Sequence, residues 1–329
     1  MKDFRTEIKI TPSSLPITRG SRILTQGSCF ADAIGARLSI HKINTLVNPF
    51  GVIYNPDSIH KVLEYAIFNE SLPEHTFIRN QDLYLNFNFH SEFSALSKEQ
   101  LVSRLMNTIG ATHYFLKDAG LLLLTYGTAW VYHRKETGEV VANCHKVPSS
   151  MFTKSLLSAE SVCDSFRRFY TSLKKFNDKI KIILTVSPVR HLRDTLELNA
   201  VSKAVLRIAC HAISNKYDDV EYFPAFEMMT DDLRDYRFYK ADMIHPTPEA
   251  EDYIWEKFME RYFNPDLRDF VRKWSEVLSA LRHKPFHPQS ASHQQFLKET
   301  LLKLQELRPL ADVEEEIRQV RQQMIISPT

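Results

Sequence analysis

Four short apolar runs, each closed by a small or turn-forming residue, limit what this chain can become. They are Arg22–Gln26 before Gly27, Leu121–Tyr126 before Gly127, Lys179–Val186 before Ser187, and Val220–Phe223 before Pro224. Such continuous runs suit strands buried on both faces, as in parallel sheets. Helical periodicity fills the intervals, at about 30–40, 58–68, 97–119, 159–176 and 202–217. Strand–helix alternation of this kind predicts an α/β domain with a mostly parallel sheet. Ligands of such sheets bind beyond the carboxyl ends of the strands. Gly27, Gly127, Ser187 and Pro224 should therefore share one rim.

The first of these ends carries nucleophiles. Gly27-Ser28-Cys29-Phe30-Ala31 passes from strand to tight turn to helix, with Phe30, Ile34 and Leu38 spaced as one helical face. A hydroxyl or thiol is thereby set at a helix amino end, where free N–H groups and the dipole favour an anion. A thiol here is expected to have a lowered pKa. The structural alternative is that Gly27 only makes a turn, Ser28 caps the helix and Cys29 fills core.

The chain has 329 residues, 43% of them hydrophobic, enough for one large domain with appendages. A net charge of +2 gives no footprint for nucleic acid. The charged start, Met1-Lys2-Asp3-Phe4-Arg5-Thr6-Glu7, is not a secretory leader, and no apolar run is long enough for a membrane span. Four widely spaced cysteines without a Cys-x-x-Cys pair read as reduced thiols, so a cytoplasmic location is expected.

Several segments lie outside the alternating core. Residues 71–95 read as an inserted hairpin. Leu83, Leu85, Phe87 and Phe89 occupy one face and Tyr84, Asn86, Asn88 and His90 a wet one. Ser97 and Gln100 form a capping-box pattern. Beyond Asn264 the character changes to helices at 266–282 and 294–324, joined by a proline-containing linker and interrupted at Pro309. Leu297, Leu301, Leu304, Val313, Ile317, Val320 and Met324 form a coiled-coil-like seam. It is expected to pack on the body or to mediate homo-oligomer formation.

The second chemical signal is Asp242-Met243-Ile244-His245-Pro246. Asp and His three apart, just before a helix, can meet on one side of a turn. A carboxylate so placed fixes the imidazole tautomer and stabilises the imidazolium, leaving the ring as base for a nucleophile from another segment. An ordinary surface ion pair is the competing reading. Arg190, Arg234 and Arg237 could bind an anionic substrate or pair with nearby aspartates. Cys144 and His145 with Asp242 and His245 have zinc-type ligands but no usual spacing, so no metal and no other cofactor is expected.

Together these segments resemble the SGNH (GDSL-type) hydrolases, and more closely the GSCFA family. The resemblance rests on Gly27–Ala31, Asn48-Pro49-Phe50-Gly51, Tyr126-Gly127-Thr128-Ala129-Trp130, Asn143-Cys144-His145-Lys146, Ser187-Pro188-Val189-Arg190-His191, Leu233-Arg234-Asp235-Tyr236-Arg237 and Asp242–Pro246. It covers about residues 20–262. It implies a flavodoxin-like three-layer sandwich, here residues 1–264, followed by a helical extension over 265–329. It further implies a nucleophile at Cys29 or, with a shift of one, Ser28, served by His245 and Asp242. Gly51 falls in the block whose N–H helps hold the oxyanion. Gly127 and Thr128 fall in the third block, whose usual Asn is missing, and Asn143 is the substitute donor the resemblance suggests. His191, a lone histidine after a strand, either lines the pocket or is a satisfied structural histidine. The implied activity is acyl-ester hydrolysis or acyl transfer on a small-molecule or glycan ester. The rival is a non-catalytic glycan- or protein-binding module.

Overall fold

Alternation along the strands divides the core in two. In the computed structural model, which describes residues 5–324, β1 (Arg22–Gly27), β2 (Asn44–Val47), β5 (Leu121–Tyr126), β9 (Lys181–Val186) and β10 (Val220–Phe223) form one parallel sheet, ordered β10-β9-β5-β1-β2. This is a doubly wound, flavodoxin-like order whose switch point lies between β1 and β5. Leu24, Leu122, Leu124, Ile182 and Leu184 face one layer; Ile23, Leu121, Leu123 and Ile183 face the other. The period of two sends neighbouring residues to opposite faces.

The first layer is α2 (Pro56–Phe68), α3 (Lys98–Lys117), α4 (Ala159–Phe176) and α5 (Leu196–Lys216). The second is α1 (Cys29–Ile40) with, after a single turn α6 (Ala225–Glu227), α7 (Pro248–Tyr262), α8 (Pro265–Arg282), α9 (Ala291–Leu307) and α10 (Glu314–Gln323). Side-chain oxygens cap the starts as the sequence signals anticipate: Ser97 Oγ accepts from Gln100 N at 3.2 Å and Thr247 Oγ1 from Ala250 N at 3.3 Å.

Three local readings differ. The inserted hairpin is shorter, β3 (Phe77–Asn80) against β4 (Leu83–Asn86), and its polar face is not wet. Asn86 and Asn88 are buried, donating to Thr76 Oγ1 and Tyr65 OH, while Leu83 is exposed. Buried amides with partners mimic a solvated face in sequence. Next, β8 (Phe152–Leu156) was not expected; it pairs with β6 (Trp130–Arg134), itself paired to β7 (Val140–Val141). Finally, α5 begins at Leu196 rather than near Ser202, because its first turns project Leu196, Leu198 and Val201 outward and break the apolar period.

The C-terminal seam is turned inward. Leu297, Leu304, Ile317 and Val320 are buried in the same cluster as Ile34 and Leu38 of α1. Trp274 on α8 is 1% exposed and donates its indole N–H to Ile40 O at 2.7 Å. Helix breaking at Pro309 lets α9 and α10 fold back on each other. Among the described residues no helix is long and apolar enough to cross a membrane. Because Trp274 fills this shared core, Trp274→Ala should lower unfolding free energy by about 3–5 kcal/mol, read by chemical denaturation. A loss near zero would show that the tail only rests on the body.

Candidate active site

The elbow is built from backbone outward. Gly27 has φ +149°, and a Cβ there would stand 2.2 Å from Thr125 O of β5. Only glycine permits this approach. Ser28 N donates to the same carbonyl at 3.1 Å. Gly27 N donates to Asn48 Oδ1 at 2.8 Å, and Asn48 Nδ2 donates to Asp32 Oδ1 at 2.6 Å. Asn48, buried at φ +38°, thus ties the turn to the first turn of α1.

The two nucleophile candidates separate clearly. Ser28 is fully buried and its Oγ accepts from Phe30 N at 3.3 Å, the work of an N-cap. Cys29 opens α1 and is half-buried. Its sulfur meets the N–H groups of Cys29 and Phe30, which lower its pKa, but burial and then the Asp32 carboxylate outweigh them and push the thiol up. The expected lowered thiol pKa is therefore corrected: desolvation exceeds the helix-end effect. Asp32 is itself raised, mainly by burial, against the opposing bond from Asn48.

The Asp242–His245 turn forms as the spacing suggested. Asp242 Oδ2 lies 2.7 Å from His245 Nδ1, while Oδ1 accepts from the N–H groups of Ile244 at 2.9 Å and His245 at 3.0 Å. These backbone bonds first, then the imidazole, hold Asp242 well below the usual carboxylate range. The turn is closed by Lys240 N on His245 O and Thr247 N on Phe238 O, with Met243 at φ +58°. From β9's end, Arg190 N reaches Ile244 O at 3.2 Å and Arg190 Nη1 reaches Met243 O at 3.4 Å. Among the described residues, neither Ser28 nor Cys29 shares a hydrogen bond with His245 Nε2.

His191 stands at the end of β9. Its ring meets Tyr54 edge-on at 5.1 Å, and its buried Nε2, without a hydrogen-bond partner, lies 3.1 Å from where a Gly127 Cβ would be. Burial first and then Lys203 hold its pKa down to about 3, with His245 adding to the effect, so the ring is neutral near pH 7.

The proposed oxyanion donors are otherwise engaged. Gly51 N donates to Asn48 O at 2.8 Å, and its φ of +72° lets Glu92 and His90 pack where a Cβ would go. Gly127 N and Thr128 N both donate to Tyr54 O, at 2.7 and 3.1 Å. Asn143 spends its amide on Ser91 Oγ at 3.0 Å and on His145 N at 2.8 Å. His145 is bonded to Asn86 O and Ser91 Oγ, and among the described residues no group of three or more His, Cys, Asp or Glu is placed to hold a metal.

Sequence reading missed Lys203. It is 1% exposed and its Nζ donates to Gly127 O and Ser187 O, each at 2.7 Å, joining the ends of β5 and β9. Burial brings its pKa down to about 7, partly offset by Cys29. The signal was available: Lys203 occupies the same buried helical stripe as Leu206, Cys210 and Ile213, a position a lone lysine takes only with partners.

The parallel α/β fold thus carries a small-residue elbow at one strand end and a carboxylate-backed imidazole on a separate turn. By sequence the chain belongs to the GSCFA family, matched over residues 22–258, and the C-terminal domain of GSCFA domain proteins matches over 274–326. No curated protein matches. Among solved structures, an acetyl xylan esterase (Est2A) from the rumen bacterium Butyrivibrio proteoclasticus is similar at 11% identity. That match covers 80% of this chain and 67% of that one, with a TM-score of 0.37.

The charge on Lys203 lowers the Cys29 pKa. Lys203→Met should therefore slow iodoacetamide labelling of Cys29 at pH 7 and below, where the lysine still carries charge, as read by peptide mapping. An unchanged profile in a folded variant would mean that Lys203 serves only the strand ends.

Proposed function

We propose that this protein is an acyl esterase or acyltransferase in which Cys29 is the nucleophile and His245, oriented by Asp242, the general base. The observation that carries the reading is the Asp242–His245 pair, with both carboxylate oxygens committed and the ring tautomer set so that Nε2 is the free acceptor. Nε2 takes the proton of the Cys29 thiol, whose raised pKa makes such a base necessary. The sulfur attacks the ester carbonyl, a tetrahedral oxyanion forms, and the imidazolium returns its proton to the departing alcohol oxygen. Water or an acceptor hydroxyl then takes the acyl group from the thioester. Cys29 N–H, at the first position of α1 and without an intrahelical acceptor, is the donor this reading assigns to the oxyanion. Catalytic hydrogen bonds often tighten only with substrate in place, so the unmade His245 contact is compatible with this role. An acylated glycan is the substrate class suggested by the SGNH resemblance, which is an analogy of fold.

A second reading, a binding module without turnover, draws on the internal pairing of the Gly51, Gly127 and Thr128 N–H groups. Acyl-directed serine/cysteine probes with peptide mapping separate the two. Labelling should fall on Cys29. Cys29→Ala should abolish turnover of a simple acetyl ester, whereas Ser28→Ala should keep it at a capping cost of about 1 kcal/mol in stability. Labelling at neither residue supports the module; loss of turnover in Ser28→Ala alone reassigns the nucleophile.

A further inference from the structure

Beside the Asp242–His245 turn lies a cavity of about 170 Å³ lined by Arg190, Met229, Thr230, Arg234, Asp235, Tyr236 and Tyr239. Its wall is continuous with the turn: Arg190 holds Ile244 O and Met243 O, and Tyr239 bridges to Pro246. The Arg190 guanidinium lies over the Tyr239 ring at 3.8 Å and is 5.6 Å from the exposed Tyr236 ring. Among the described residues, neither Arg190 nor Arg234 has a carboxylate partner, and Arg234 makes no hydrogen bond at all. The one carboxylate in the lining, Asp235, is already spent on Arg237 and on the Arg237 N–H. Two guanidinium groups without counter-ions thus face a small space with two tyrosine rings.

We propose that this cavity is a subsite for the carboxylate of an acidic sugar, which makes the substrate of the neighbouring site an acylated uronate. Guanidinium forks match a carboxylate in plane and charge. An aromatic face such as Tyr236 takes the apolar face of a sugar ring while its hydroxyl stays wet. Asp235 is paired with Arg237 but still leaves carboxylate oxygens in the lining, and these disfavour a dianionic phosphate more than a monoanionic carboxylate. The inference rests on the esterase reading for its catalytic consequence, but the binding step stands by itself.

The test is therefore binding, by calorimetry on the full chain, with methyl galacturonoside, methyl galactoside and galactose 6-phosphate as probes. The uronate should bind at least about tenfold more tightly than the neutral sugar, as a charge-assisted pair commonly gives. That margin should shrink in Arg234→Gln and in high salt. Equal binding of uronate and neutral sugar, no binding of the uronate at millimolar concentration, an unchanged margin in Arg234→Gln, or tighter binding of the phosphate would overturn the subsite. Failure to hydrolyse acetyl esters with uronate binding intact would overturn the esterase reading and leave the subsite standing.

Discussion

The backbone contact between Gly27 and Thr125 governs the site. At the rim of the sheet, β1 runs so close to β5 that no side-chain carbon fits between them. That closeness lets Thr125 O take the Ser28 N–H and turns the chain sharply into α1. Asn48 then fastens the turn from the other side, with one amide atom on Gly27 N and the other on Asp32. An elbow held by buried backbone and amide bonds resists reorganisation, because breaking any of them leaves an unpaired polar group out of water. Cys29 inherits its position from this framework rather than from contacts of its own sulfur.

Burial then sets the electrostatics in a graded way across the rim. Toward the sheet, desolvation raises Cys29, brings Lys203 down to about 7 and keeps His191 neutral. Toward solvent, Asp242 is held as a carboxylate by backbone N–H groups. Cys29 and Lys203 each favour the other's charged form. A largely buried, neutral thiol and a carboxylate-backed imidazole on a separate exposed turn thus occupy an interior and a surface compartment. The arginine–tyrosine cavity extends the surface compartment, since Arg190 braces the same turn that carries His245.

Where sequence and structure agree, local order is the cause. The strands at 121–126 and 220–223 and the helix at 159–176 have the anticipated bounds because burial on both faces or along one stripe writes an unbroken pattern. The Asp242–His245 pair was legible for the same reason: four residues of one turn suffice to make it. The misreadings involve distant partners. Asn86 and Asn88 pass for surface residues until Thr76 and Tyr65 cover them. Lys203 passes for a helix cation until Gly127 O and Ser187 O accept its hydrogen bonds. The thiol of Cys29 takes a raised pKa from the burial that tertiary packing imposes, a term absent from a reading of its helix position alone.

By itself, the sequence determined the alternating strands and helices, the glycine elbow, the capping residues and the paired Asp242 and His245, since each depends on neighbours a few positions away. Tertiary structure alone decided the rest. It turned the C-terminal seam onto α1, engaged the Gly51, Gly127 and Asn143 donors with internal partners, and gathered Arg190, Arg234 and two tyrosines around one cavity. The reason is that desolvation and hydrogen-bond pairing depend on which atoms surround a group in space, and chain spacing carries no record of that.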